Sequence, residues 1–279
     1  MGRLSNKIAI ITGATSGIGR RTAERFVAEG ARIVACGRRA ELGKTLEQEL
    51  GQERCLFVAA DVSREADVKA LVEACVRKWG RVDCLFNNAG SPAPHVGIEA
   101  IDVDSFDAAF ASLVRSVMLG MKHVAPLMMA QGSGSIVNNG SVAGLRTGYS
   151  SITYSAAKAA VIQMTKCVAM QLGEKNVRVN SISPGAIATG IFGKAAGMAA
   201  ERAERTAATA QAAFAGAQPI PRAGVPDDIA QAAVFLACDE SSFVNGQDLA
   251  IDGGMIAGRQ WTVQQQATQG LRAAIGKVE

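Results

Sequence analysis

Short, continuously apolar runs alternate along this chain with longer stretches in which apolar residues recur every three or four positions. The runs at 8–11, 32–36, 55–59, 82–86, 135–138, 177–182 and 248–251 are too short for helices and read as strands. The stretches at 18–29, 40–50, 65–79, 105–131, 153–172 and 226–237 read as helices, the first of them stopped by Gly30. Strands that are apolar on both faces, each followed by a helix, predict an α/β fold with a doubly wound parallel sheet of about seven strands, flanked by helices on both faces.

One segment departs from this alternation. Residues 186–218 are rich in Ala, carry Glu201, Arg202, Glu204 and Arg205, and lie between the sixth strand and the last helix. They read as one or two amphipathic helices forming a lid over a substrate site, or as a solvated surface insertion. No internal repeat and no Pro- or Ser-rich linker divides the chain, so residues 1–279 are expected to form one domain.

Composition narrows the function classes. With 48% hydrophobic residues over 279 positions the chain can bury one large core. Its net charge of +4 is spread without blocks, and the longest basic cluster is the pair Arg38 and Arg39. No nucleic-acid partner and no membrane partner is expected from that pattern. The six cysteines are scattered, with no CxxC and no partnering His, which points to free thiols in a reducing, cytoplasmic setting and to no metal site. The first residues show no signal-peptide stretch, and no segment approaches the ~20 apolar residues of a membrane span.

The candidate chemistry begins directly after the first strand. Residues 12–19 read Thr-Gly-Ala-Thr-Ser-Gly-Ile-Gly and open a helix. Small residues let the backbone approach a pyrophosphate, and the helix N-terminus offers unpaired N–H groups to the anion. The glycines at 13, 17 and 19 follow a G-x-x-x-G-x-G pattern, in the strand–turn–helix context that a dinucleotide site requires. Far along the chain, Tyr154 precedes Lys158 by one helical turn, which places a phenol and an ammonium on one face. A nearby positive charge favours a phenolate, so the pair is a candidate acid/base for alcohol or ketone chemistry. Ser141 lies thirteen residues before Tyr154, at the end of the fifth strand, where an open parallel sheet binds ligands.

Residues 12–19, the run Asn87-Asn88-Ala89-Gly90, and Ser141, Tyr154 and Lys158 together resemble the short-chain dehydrogenase/reductase family. The resemblance runs from about residue 7 to residue 254 and takes in Asp61-Val62, Pro184-Gly185 with Thr189, and Asp252-Gly253-Gly254. It implies a Rossmann-type fold and a nicotinamide-dependent alcohol dehydrogenase or ketone reductase with Ser141, Tyr154 and Lys158 as its catalytic residues. It implies further that Gly13, Thr15, Ser16, Gly17, Ile18 and Gly19 hold the cofactor phosphates. Asp61 and Val62 would border the adenine. Asn88, Ala89 and Gly90 would line the ribose side; Pro184 and Gly185 would also bind the cofactor, and Ile187 and Thr189 after them would hold the carboxamide. Tyr154 and Lys158 would also touch the cofactor, with Lys158 lowering the Tyr154 pKa.

The end of the second strand bears on cofactor choice. Gly37 stands where relatives that use NAD carry a carboxylate, and Arg38 and Arg39 follow. The missing carboxylate removes repulsion against a 2′-phosphate, and an Arg can grip it bidentately. NADP(H) is therefore favoured, with NAD(H) as the alternative; Arg38 is the leading contact, and Arg39 also reads as a solvated helix-start residue. Ser16 argues the other way, because NADP-binding relatives often carry a basic residue there.

Many relatives add an Asn that supports a proton-relay water, and the matching position is Leu113. Either a backbone carbonyl holds that water alone, or proton exchange is impaired. Candidate substrate contacts are His95, Ala143, Leu145, Tyr149 and Phe192, mostly apolar, which points to a hydrophobic secondary alcohol or ketone, cyclic or aromatic. The resemblance implies a homotetramer or homodimer. Trp261 and Gln264 to Gln266, in a C-terminal extension over 255–279, are candidates to pack on a neighbouring subunit, with a frayed terminus as the alternative. Two other functions stay open at this point: a catalytically weak nicotinamide-binding sensor, and a lyase or epimerase on the same fold.

Overall fold

Apolar runs flanked by helices fold as expected into a parallel sheet. The computed structural model describes residues 2–276; Met1 and the last three residues of the expected C-terminal extension lie outside the described residues. Seven strands, all paired in parallel, form one sheet in the order β3-β2-β1-β4-β5-β6-β7. They are β1 (Ile8–Thr12), β2 (Arg32–Gly37), β3 (Cys55–Ala59), β4 (Cys84–Asn87), β5 (Gly134–Asn139), β6 (Val177–Pro184) and β7 (Asp248–Ile251).

β1 shows why a continuous apolar run makes a central strand. Ile8 and Ile10 pack into one hydrophobic cluster while Ala9 and Ile11 pack into the other, because alternate side chains leave opposite faces of the sheet. One layer contains α1 (Gly17–Ala28), α2 (Ala40–Leu50) and α10 (Pro226–Ala237), which supply Phe26, Leu46 and Ile229. The other contains α3 (Glu65–Trp79), α5 (Ser116–Gln131) and α6 (Ile152–Gly173), which supply Leu71, Val124 and Leu172.

The strand order reverses between β1 and β4, since the chain leaves β1 toward β2 and β3 and returns on β1's other side. Diverging connections open a crevice beyond the carboxyl ends of these two strands, which is where open α/β sheets bind ligands.

Three of the expected elements depart locally from the pattern. The fourth strand starts at Cys84, because the Val82 backbone pairs with a side chain instead: its N–H donates to Gln131 Oε1 at 3.2 Å and its carbonyl accepts from Gln131 Nε2 at 2.9 Å. The long helix expected at 105–131 begins as α4 (Val103–Phe110), where the Asp102 carboxylate caps it by accepting the Ser105 N–H at 2.8 Å. It then passes through a π turn at Ala111–Arg115 before α5.

Segment 186–218 holds three short helices, α7 (Ile191–Ala195), α8 (Ala200–Glu204) and α9 (Ala207–Ala213), rather than one or two. Gly197, at φ +76°, turns the chain after α7 and fits a helix exit that favours glycine. The C-terminal extension forms α11 (Trp261–Ile275), a helix with every residue exposed. Among the described residues no helix is long and apolar enough to cross a membrane.

Candidate active site

The loop between β1 and α1 and the turn after β4 are knitted together at the crevice. Thr12 Oγ1 accepts the Asn88 and Ala89 N–H groups, each at 3.0 Å, and Asn88 Nδ2 donates to the Thr12 carbonyl at 3.0 Å. Gly19 must be glycine here: a Cβ would lie 2.2 Å from the Gly13 carbonyl oxygen and 2.5 Å from Asn88 Nδ2. The first turn of α1 holds no acidic residue, and its N-cap Ser16 makes no side-chain cap hydrogen bond. Its N–H groups are therefore free for an anion, as a pyrophosphate site requires.

A cavity of about 540 Å³ runs from this loop across the crevice. The phosphate loop, Gly37 to Arg39, Asp61, Val62, Asn88 to Gly90, Tyr154 and Lys158 all line it. One continuous space thus joins the candidate nucleotide loop to the candidate acid/base pair, and its residues fit a dinucleotide.

Helix α6 delivers that pair. The Ser151 hydroxyl accepts the Tyr154 N–H at 3.4 Å and caps the helix, so Tyr154 sits in its first turn and Lys158 one turn later. Lys158 is 3% exposed, and its Nζ donates to the Asn139 carbonyl at 2.6 Å. Its Nζ lies 5.6 Å from the centre of the Tyr154 ring. Ser141 Oγ accepts the Ala143 N–H at 3.2 Å and begins the short turn Val142–Gly144 against α6.

Burial pushes the Tyr154 phenol up to about 12, and a hydrogen bond with Ser141 draws it back. Burial also lowers Lys158 to about 8. The expected lowering of Tyr154 by Lys158 is thus not found in this structure: desolvation of the hydroxyl sets the direction, and only Ser141 opposes it.

The two arginines exchange the emphasis expected of them. Arg38 is exposed at the cavity rim. Arg39 is partly buried and reaches over the phosphate loop, donating to Ser16 Oγ at 2.7 Å and Thr15 Oγ1 at 3.1 Å. Its guanidinium also stands 3.6 Å from Glu204 on α8, whose carboxylate accepts from Lys194 Nζ at 2.7 Å. Arg39 does start helix α2, as its N-cap, but it is not solvated; from just after β2 it brings a positive charge to Ser16.

The other expected residues are divided between this cavity and its surroundings. Thr189 lines the main cavity; Pro184 ends β6, Gly185 follows it, and Ile187 pairs with Gly224 beside a separate cavity of about 240 Å³. Ala143 is buried, and Leu145 and His95 are exposed. The exposed Tyr149 donates from its hydroxyl to the Met255 carbonyl at 3.2 Å. Phe192 packs against Phe214 with ring centres 4.7 Å apart. None of these five candidate substrate contacts lines the main cavity.

Asn139, Ser112, Lys194, Met198 and Glu204 line it without having been singled out for the site. Asn139 was within reach of sequence reasoning, since it ends a strand two residues before Ser141. Lys194, Met198 and Glu204 come from the irregular 186–218 segment, where no spacing rule marks them.

Comparison with known proteins bears on the family and the fold. A family profile described as enoyl-(acyl carrier protein) reductase matches residues 13–256. The chain is 38% identical to momilactone A synthase of Oryza sativa subsp. japonica over 256 residues, 91% of each chain. It is 36% identical to 3beta-hydroxysteroid dehydrogenase 2 of Eggerthella lenta over 257 residues, 91% of this chain and 96% of the relative. The crystal structure of levodione reductase superposes with a TM-score of 0.83 at 35% identity, covering 92% of this chain and all of that one. With the matching profile, these relatives and this fold, the chain belongs to the short-chain dehydrogenase/reductase family of oxidoreductases, whose members use nicotinamide cofactors.

Proposed function

We propose that this protein is an NADP(H)-preferring oxidoreductase that interconverts a hydrophobic, cyclic or aromatic secondary alcohol and its ketone. The observation that carries the reading is the shared cavity: Tyr154 and Lys158 open onto the same space as the phosphate loop and Arg39. A bound nicotinamide supplies the hydride acceptor or donor. Ser141 donates a hydrogen bond to the substrate oxygen, Tyr154 gives that oxygen its proton or removes it, and Lys158 keeps a positive charge behind the phenol and meets ribose hydroxyls.

Preference for NADP(H) is supported by Gly37, which brings no carboxylate, and by two arginines lining the same cavity. The substrate class is supported by the apolar side chains Pro92, Ile191 and Met198, which line the cavity, and by relatives named for hydroxysteroids. Segment 186–218 acts in this reading as a lid, since Ile191, Lys194, Met198 and Glu204 line the cavity from its side. Self-association through the two long helices is supported by the exposed apolar side chains Met118, Ile152 and Met170.

The test is absorbance at the reduced-nicotinamide band with a panel of cyclic and aromatic secondary alcohols and ketones, using NADP(H) and NAD(H) in parallel. Turnover that is faster with NADP(H) and abolished by Tyr154→Phe is the expected result. No turnover of any member of the panel with either cofactor would overturn the reading.

A further inference from the structure

A buried ammonium has three N–H donors to place, and each one left without an acceptor weakens the charged form. Lys158 Nζ makes one hydrogen bond, to the Asn139 carbonyl at 2.6 Å. The same residue carries an acceptor with no partner: Asn139 Oδ1 is buried and accepts no hydrogen bond. Orphaned buried acceptors are rare, and each calls for an explanation.

The orientation of that amide follows from its neighbours. Asn88 Nδ2 donates to the Thr12 carbonyl at 3.0 Å, which leaves Asn88 Oδ1 as an acceptor, and Asn139 Nδ2 donates to it at 3.1 Å. Asn139 Oδ1 is therefore the end of the amide turned away from Asn88. A chain of polar contacts crosses the crevice from the end of β1 through Asn88 and Asn139 to Lys158. Asn139 lines the cavity beside Tyr154 and Lys158. Tyr154 also packs against the apolar cluster of Ala109, Leu113 and Ala157.

We propose that Asn139 is the positioning residue for Lys158: its carbonyl anchors the ammonium, and its side-chain Oδ1 is the second acceptor that keeps that ammonium charged and aimed at Tyr154 as the site works. Its part in turnover rests on the oxidoreductase reading above; its hold on Lys158 does not. Tyr154 is the titratable group that faces Lys158 from α6. Arg38, Arg39, Asp61, Lys194 and Glu204 line the rest of the cavity. Burial alone lowers Lys158, so the proton on Nζ depends on neutral acceptors, and Asn139 supplies them.

The test uses two variants that both lose the donor to Asn88 and differ only in what they present to Lys158. Asn139→Leu presents no acceptor, and Asn139→Asp presents a carboxylate. Urea unfolding of the cofactor-free protein is followed between pH 7 and 11. The Lys158-linked part of the stability profile should begin to rise at a lower pH in Asn139→Leu than in wild type and at a higher pH in Asn139→Asp, each by about one pH unit. Both displacements should vanish in a Lys158→Met background. In turnover, Asn139→Leu should lower kcat about tenfold, the loss of one hydrogen bond to a charged group.

Displacements in the same direction, or none, would overturn the proposal and leave Asn139 a structural link to Asn88. Should Asn139→Leu fail to fold, Asn139→Ser, which keeps a smaller acceptor, takes its place with a smaller displacement of the same sign. A wild-type protein inert toward every alcohol and ketone, with the opposite displacements intact, would refute the oxidoreductase reading and leave this one standing.

Discussion

Gly144 packs so closely on Lys158 that a Cβ on it would lie 2.7 Å from the Lys158 carbonyl carbon and 2.7 Å from the Ala159 nitrogen. The turn that carries Ser141 is thus seated on the backbone of the helix that carries Tyr154 and Lys158. No flexible side chain stands between them to absorb a displacement.

Gly144→Ala should therefore push the Ser141 turn off α6. Overpacking of this kind costs about 1–3 kcal/mol of stability, and a displacement near ~1 Å lowers kcat by about a hundredfold. Urea unfolding and kcat on one preparation read both. A variant with wild-type kcat would show that the position of Ser141 does not matter to the chemistry.

Lys158 and Tyr154 should contribute opposed steps to stability at alkaline pH. Lys158 titrates near about 8 in the folded protein and near 10.5 when unfolded, so over that window the unfolded chain binds more protons. The Lys158 contribution to stability rises with pH there, as the buried charge is removed, against a fall above pH 9 from the buried thiols of Cys36, Cys55, Cys75 and Cys84, each raised from 9.0 to about 12. Tyr154 stays protonated to about 12, against 10.0 when unfolded, so above pH 10 the folded protein binds more protons and stability falls. Denaturant midpoints against pH should lose the rise in Lys158→Met and the Tyr154 part of the fall in Tyr154→Phe. A wild-type profile in either variant would contradict the assignment.

Cofactor preference should depend more on Arg39 than on Arg38, because Arg39 holds Ser16 and Thr15 while Arg38 stands at the rim. A charge-assisted contact to a phosphate contributes about 1.5–3 kcal/mol. Arg39→Ala should accordingly raise KM for NADP(H) by about ten- to a hundredfold and change KM for NAD(H) little. Equal losses for both cofactors would mean that Arg39 serves the loop and not the 2′-phosphate. Gly37→Asp with Arg38→Ala should shift the ratio of kcat/KM toward NAD(H).

Leu113→Asn should lower stability and leave kcat within a factor of ~2. Leu113 is 1% exposed, and its Cδ2 lies 3.0 Å from where a Cβ on Gly90 would be, so an amide there is desolvated in an apolar cluster. The cost is about 1–3 kcal/mol. A large rise in kcat would show instead that proton exchange at Tyr154 is limiting in the wild-type protein.

The apolar runs were legible because a strand buried on both faces must be apolar throughout, and β1, β2, β5 and β6 fall where those runs lie. The phosphate loop was legible for a local reason as well, since the close approach at Gly19 is dictated by its own strand–turn–helix. Helix spacing placed Tyr154 and Lys158 on one face without any tertiary information. The π turn at Ala111–Arg115 had no such signature, and neither did the break of segment 186–218 into three helices. Both depend on what packs against them.

By itself the sequence determined which residues are chemically able to act: a phenol and an ammonium one turn apart, a hydroxyl at a strand end, a loop that can hold a pyrophosphate and two arginines after β2. Tertiary structure decided how those groups are tuned and which of them meet. It buried Tyr154 and Lys158 so that desolvation sets their protonation, turned Arg39 inward and Arg38 outward, and placed Asn139 against Lys158. Burial and side-chain direction are set by contacts between residues far apart in the chain, and no local spacing encodes them.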